Sequence, residues 1–262
     1  MRIGFHCACF FTIMEPSSML QRISILGVPI DRVTREQALL EIASFLSSGG
    51  QHHVMTPNPE MLVEAGKNPT FREVLSRSAL NVPDGVGLLW ASRWIGTPIA
   101  ERVAGVDLFQ DLCLSPSLPP VYFLGAAPGV AERVGEHFSQ RNPSLRVVGA
   151  ESGSPDPAEE TGIVQHINAS GAQVLFVAFG APGQDMWIAR NLSKMPGVRL
   201  AIGVGGSFDF VAGVRKRAPA WLRSAGLEWF WRLVREPRRF RRIISAVLVF
   251  PLLVLRGGSR GA

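Results

Sequence analysis

Between residues 22 and 204 short runs of strand-forming apolar residues alternate with longer segments of helical periodicity, and most runs end in glycine, proline or a polar turn. That alternation leaves few solutions other than parallel strands joined by helices that cover both faces of one sheet. The runs at 173–179 and 200–204 carry almost no polar residue, as strands buried on both sides require. The expected fold class is α/β, a Rossmann-like parallel sheet with helices on both faces, followed by a C-terminal helical, membrane-binding appendage. A chain of 262 residues with 47% hydrophobic and 18% charged residues is large enough to bury such a core.

The spacing predicts strands at 22–30, 52–56, 79–82, 121–125, 145–149, 173–179 and 200–204. Helices are expected from the capping box Thr34-Arg35-Glu36-Gln37 to about Ser47, from Asn58-Pro59 through Ala65, and from Asn68-Pro69 to about Ser78. Others are expected over 86–95, 128–141, 158–168 and 184–194, with one more starting near Val106. Short helices at 219–225, 227–235 and 237–250 follow, with Trp221, Trp229, Phe230 and Trp231 set among arginines. The division expected is an N-terminal extension at 1–20, an α/β catalytic domain at 21–214 and a basic amphipathic appendage at 215–262. The extension superficially resembles a secretory signal, but one positive charge and no small-residue cleavage site argue against export. Met19 is an equally good start.

The formal charge of +6 is unevenly spread: residues 215–262 hold a net +10 and residues 1–214 a net −4. An anionic partner for the tail is implied, either nucleic acid or a membrane surface. Residues 243–255 form 13 positions without a charge, interrupted by Pro251, too short to span a bilayer and long enough to lie in its interface. Three cysteines, two of them in the first ten residues, build no disulfide framework and fit a reducing cytoplasm.

The segment Asn81-Val82-Pro83-Asp84-Gly85-Val86-Gly87 sets one carboxylate, Asp84, at the C-terminal tip of a strand, where open α/β sheets collect ligands. Asp84 could equally cap the next helix. Gly205-Gly206 gives a turn whose backbone can approach a phosphate and present N–H groups to it. No G-x-G-x-x-G follows the first strand and no Walker motif is present, which disfavours a nicotinamide enzyme and a P-loop ATPase. No Asp-x-Asp occurs, and His52 and His53 point to opposite sides of a strand, so neither a metal nor a cofactor is expected. Arginine is the natural substitute for a divalent ion beside a diphosphate, and five of the eight residues at 235–242 are arginine.

Thr56-Pro57-Asn58-Pro59-Glu60, Pro83-Asp84-Gly85-Val86-Gly87, Glu101-Arg102-Val103-Ala104-Gly105-Val106-Asp107, Gly180-Ala181-Pro182-Gly183-Gln184-Asp185 and Gly203-Val204-Gly205-Gly206-Ser207-Phe208-Asp209 occur in this order, followed by Lys216-Arg217-Ala218-Pro219 and Leu227-Glu228-Trp229. Together they resemble the WecG/TagA/CpsF family of bacterial glycosyltransferases from about Arg22 to Arg242. The resemblance implies an inverting, metal-independent transferase that moves a sugar from a UDP-sugar to a polyprenyl-diphosphate-linked sugar in cell-surface polysaccharide or exopolysaccharide assembly, at the cytoplasmic face of the membrane. By that likeness Asp84 is the expected general base, with Thr56 and Asn58 beside it. Arg102 and Gln184 match substrate-binding positions, and Arg232, Arg239 and Arg242 are expected to contact a diphosphate once the appendage docks on the membrane. The family commonly carries Lys-Gln-Glu where this chain has Gly183-Gln184-Asp185. The competing reading is a non-catalytic α/β module whose basic tail binds nucleic acid or membrane; the apolar run beside the arginines suits a bilayer better than nucleic acid. An apolar helix face exposed off the membrane would also support self-association.

Overall fold

The computed structural model describes residues 20–235 and 240–258. The expectations for the N-terminal extension and for Arg239 fall outside them, apart from Leu20. The segment read as one strand at 22–30 is a hairpin: β1 (Arg22–Ile25) and β2 (Val28–Asp31) pair antiparallel in a sheet of their own. Leu26 and Gly27 both take positive φ, 53° and 77°, which is the two-residue turn that matches strand twist. A leucine at the first of those positions hides the turn from pattern reading. The buried Asp31 closes the hairpin, accepting from Arg22 Nε at 2.7 Å and from the Asn81 backbone N–H at 2.7 Å.

Next come α1 (Arg35–Ser48), β3 (His52–Met55), α2 (Pro59–Lys67), α3 (Pro69–Arg77), β4 (Leu80–Asn81), α4 (Val86–Trp94) and α5 (Gly105–Leu114). They are followed by β5 (Val121–Gly125), α6 (Val130–Arg141), β6 (Val147–Glu151), α7 (Pro157–Ser170), β7 (Val174–Ala178), α8 (Gly183–Asn191), β8 (Leu200–Gly203) and α9 (Ser207–Val211). The helix starts follow from side chains the sequence supplies. Thr34 and Gln37 make both bonds of the capping box, and the Asn58 and Asn68 Oδ1 atoms accept from the Met61 and Phe71 backbones at 3.0 Å.

All six strands of the main sheet are parallel, in the order β4-β3-β8-β7-β5-β6. β5, β7 and β8 are buried at every residue, as their continuous apolar runs require. One face packs on Phe109, Phe123, Phe138, Phe176 and Phe208, whose rings meet mostly edge to face. Trp187 and Ile188 of α8 and Ile163 and Ile167 of α7 cover the other. A third cluster joins the hairpin, α2, α3 and α4.

That third cluster also takes in the C-terminal helices. After α10 (Ala220–Ser224) and α11 (Glu228–Arg235), helical backbone runs through α12 (Phe240–Ile244), a π-helical segment at Ser245–Val249 and α13 (Phe250–Gly258). The sequence suggests a break at Pro251, and none occurs there. The wider turns just before it accommodate a residue with no N–H to give. Phe250 and Val254, one turn apart, are buried among Met61, Leu88 and Ala91, while Leu248, Leu252 and Leu255 on the same run are exposed. Gly87 lets the seam close, since a Cβ there would stand 2.7 Å from Pro59 Cγ and 3.6 Å from the Phe250 ring. No helix among the described residues is long and apolar enough to cross a membrane.

Phe250→Ala should therefore lower unfolding free energy by about 3 kcal/mol, the usual cost of emptying a buried aromatic site. A urea titration would read that loss, and faster tryptic cleavage within residues 235–256 would show the tail coming away.

Candidate active site

The parallel arrangement brings the C-terminal ends of β3, β4, β7 and β8 to one edge of the sheet. A cavity of about 280 Å³ opens there, lined by Thr56, Asn58, Asp84, Arg102, Gln184, Gly205 and Gly206 from the sheet side and by Glu228, Arg232 and Arg242 from the C-terminal helices. Nine of the ten residues singled out from the sequence thus share one pocket. The tenth, Arg239, lies outside the described residues.

Asp84 does not cap α4. Gly85 holds that position with no side-chain bond, while Asp84 Oδ2 accepts from the Gly105 backbone N–H, at the start of α5, at 3.2 Å. Burial raises its pKa above the ordinary carboxylate value. The nearby Arg102 and the Gly105 N–H pull it back down, Glu228 adds to the rise, and Arg232 opposes it. A carboxyl group in a cleft whose pKa is shifted in this way is a candidate for proton transfer. The close approach behind it needs Gly105, because a Cβ there would come within 2.9 Å of Thr56 Oγ1.

Asn58 Oδ1 accepts the α2 cap bond, which fixes the side chain and leaves its amide N–H groups for a ligand. Gln184 is buried, and its Oε1 accepts from Gly180 N at 3.1 Å and Gly205 N at 2.9 Å, joining the loops after β7 and β8. The expectation that Gly205 offers its N–H to a phosphate is corrected by this bond: the group is already taken, although φ of +51° keeps the turn tight. Asp185, beside it, is 1% exposed, and its Oδ1 lies 3.6 Å from His53 Nε2. Neither carboxylate oxygen of Asp185 has a hydrogen-bond partner among the described residues.

Arg102 Nη2 reaches Glu228 Oε2 at 3.4 Å, and Arg232 Nη2 reaches Glu228 Oε1 at 3.5 Å. Arg242 pairs with Glu60 and donates to the Ala181 carbonyl at 3.2 Å. Arg217, from the Lys216-Arg217-Ala218-Pro219 segment, grips Asp107 of α5 through both terminal nitrogens and holds the Asp107 carboxyl below the usual range. Sequence reasoning gave no role to Glu228, Glu60 or His53. Nothing in the sequence links Glu228 to Arg102, 126 positions away, beyond their both lying in the quoted segments. Among the described residues no three His, Cys, Asp or Glu side chains gather as a metal site would need.

Comparison with known proteins bears on this site. The chain is 35% identical over 204 residues to an N-acetylglucosaminyldiphosphoundecaprenol N-acetyl-beta-D-mannosaminyltransferase of Bacillus spizizenii, covering 77% of this chain and 78% of that one. It is 32% identical over 205 residues to the Bacillus subtilis protein of the same name, with 78% of each chain covered. To the Staphylococcus aureus (strain MRSA252) protein of that name it is 30% identical over 237 residues, 88% of this chain and 92% of that one. The model of the "Glycosyl transferase WecG/TagA/CpsF family" matches residues 23–261, so the chain belongs to that family.

Proposed function

We propose that this protein transfers a hexose-type sugar, with inversion, from a UDP-sugar to a sugar carried on a polyprenyl diphosphate at the cytoplasmic face of the membrane, without a divalent ion. The observation that carries the reading is one carboxyl group, Asp84, at the strand tips with guanidinium groups from both the sheet side and the tail around it. The relatives' printed names, an N-acetylmannosaminyl group moved to an N-acetylglucosaminyl-diphosphoundecaprenol, support a lipid-linked acceptor and favour an N-acetylhexosamine donor.

In the reaction, the acceptor hydroxyl oxygen attacks the anomeric carbon of the donor from the face opposite UDP. The carbon–oxygen bond to the diphosphate breaks, and Asp84 takes the hydroxyl proton. Negative charge grows on the departing diphosphate, where Arg102, Arg232 and Arg242 stabilise it electrostatically. Gln184 shapes the donor side by fixing the loops after β7 and β8.

Attachment to the membrane fits the tail. Leu248, Leu252 and Leu255 are exposed within a strongly basic segment, the composition of a helix lying in a headgroup layer. Acceptor lipid held at that layer would enter the pocket from the side that Ile243, Ala246 and Val247 line.

Asp84→Asn should retain UDP binding and lose about 10² to 10⁴ in transfer rate, measured with a panel of UDP-sugars and a short-chain polyprenyl-diphosphate sugar, and chelator should leave the wild-type rate unchanged. A wild-type rate in the variant would remove Asp84 from the chemistry. The wild-type rate should also fall as pH drops through the raised pKa of Asp84, because the base becomes protonated.

Stability should respond in the opposite sense. Between the ordinary carboxylate range and the raised native value, the folded protein holds a proton that the unfolded chain has released, so wild-type stability declines as pH rises through that window. Asp84→Asn removes the decline, so urea midpoints should favour the variant at neutral pH and converge with wild type in acid.

Replacing both Leu248 and Leu252 by glutamate should abolish sedimentation with anionic vesicles and cut transfer to a lipid acceptor while sparing transfer to a water-soluble one. Undiminished vesicle binding would place the membrane contact elsewhere.

A further inference from the structure

The arginines around the pocket are not waiting with empty hands: Glu228 serves two of them and Glu60 the third. Glu228 is the more telling case. It stands at the first position of α11, and its two oxygens go to different partners, one to Arg102 on the loop before α5 and one to Arg232 a turn further along α11. At 3.4 Å and 3.5 Å both contacts are longer than the 2.7–2.9 Å expected of a good charge-assisted hydrogen bond. One small carboxylate is stretched between two guanidinium groups that a larger anion would fit better.

Arg232 shows the same shortage of acceptors. Its Nε is buried with no hydrogen-bond partner among the described residues. Its guanidinium carbon lies 5.4 Å from the centre of the Phe210 ring, a contact that holds the group in place whether or not Glu228 stays. A buried N–H donor without an acceptor is costly, and phosphate oxygens are strong acceptors for the fork of a guanidinium group.

We propose that Glu228 is an internal stand-in for the substrate diphosphate: it bridges Arg102 and Arg232 while the pocket is free, clips α11 over the cavity, and is displaced when a diphosphate arrives. This rests on the reading of the pocket as one that handles a diphosphate-bearing substrate. Displacement needs only rotation of the Glu228 side chain, since its backbone is held in α11 and Arg232 is held by Phe210. It also changes the surroundings of Asp84. The two arginines that oppose its proton affinity become engaged with phosphate, while the Glu228 charge that favours it remains nearby, so arrival of the diphosphate readies Asp84 to accept a proton.

The test is calorimetric titration of the full chain with inorganic pyrophosphate and with UDP, for wild type and Glu228→Gln, with limited trypsinolysis of the tail in parallel. Glu228→Gln should bind pyrophosphate about three- to tenfold more tightly, because the ligand no longer competes with a resident charge of a partly exposed pair. The free variant should lose its tail to trypsin faster, and pyrophosphate should restore protection. Glu228→Asp keeps the charge with shorter reach and should give a smaller gain, which decides the matter if the glutamine variant does not fold. Unchanged or weaker binding in the variants overturns the proposal, and a clip with a purely structural role would give weaker binding together with a loose tail. If the wild type transfers sugar and binds pyrophosphate but the variants show no gain, only the role of Glu228 falls. If the wild type does neither, the reading of the pocket falls with it.

Discussion

A carboxyl group drawn out of bulk water into the lining of a cavity is costly to ionise, and the elements around Asp84 hold it there. The end of β4 places it, the first N–H of α5 donates to it, and Arg102 limits how far burial can raise its pKa. Two close approaches nearby favour glycine: Gly105 against Thr56, and Gly87 against Pro59. A methyl group at either position would force Thr56 or Pro59, or the helix that carries the glycine, to shift. The glycines in those motif segments are therefore requirements of packing around an acid, apart from any role in binding phosphate.

The sheet side of the pocket was legible because its signals are local. Capping residues at Thr34, Asn58 and Asn68 and continuous apolar runs in β5, β7 and β8 fix helix starts and buried strands within a few residues of themselves. The hairpin at the N-terminus was not, because its turn places a leucine at positive φ, and only the Arg22–Asp31 pair and the long-range bond from Asn81 make sense of it. Pro251 misled for a related reason: its rule assumes regular α-helical turns, and the π-helical segment before it relaxes that assumption. Asp84 stood out by its place at a strand tip and Arg102 and Gln184 by family likeness, yet that Gln184 has its carbonyl committed to two backbone N–H groups appears only when the loops after β7 and β8 are seen together.

The C-terminal helices belong to the site as well as to any surface they dock on. Phe250 and Val254 anchor them in the same core as α2 and α4, and that anchoring brings Arg242 to Glu60 and positions Ile243 and Val247 at the cavity. The run 243–255 is thus amphipathic in the folded chain, with one side buried against protein and Leu248, Leu252 and Leu255 outside. Uniform hydrophobicity in the sequence cannot tell these two sides apart, because it is the α2–α4 seam, remote in the chain, that chooses which residues turn inward.

Carboxylates paired with the pocket arginines bear on how such a site could avoid capturing the wrong anion. A bare cluster of guanidinium groups attracts any phosphate, whereas a cluster partly neutralised by Glu228 and Glu60 would, on the reading proposed above, yield to a ligand whose oxygens satisfy more donors than a carboxylate does. On that reading a diphosphate meets the condition better than a monophosphate, since it carries more oxygens for the two arginines. Selectivity of this kind arises from what must be displaced as much as from what is gained, and it places the discriminating groups on the sheet side and the tail at once. A tail that supplies Arg232 and Arg242 to the pocket cannot leave the body of the protein without taking those groups with it.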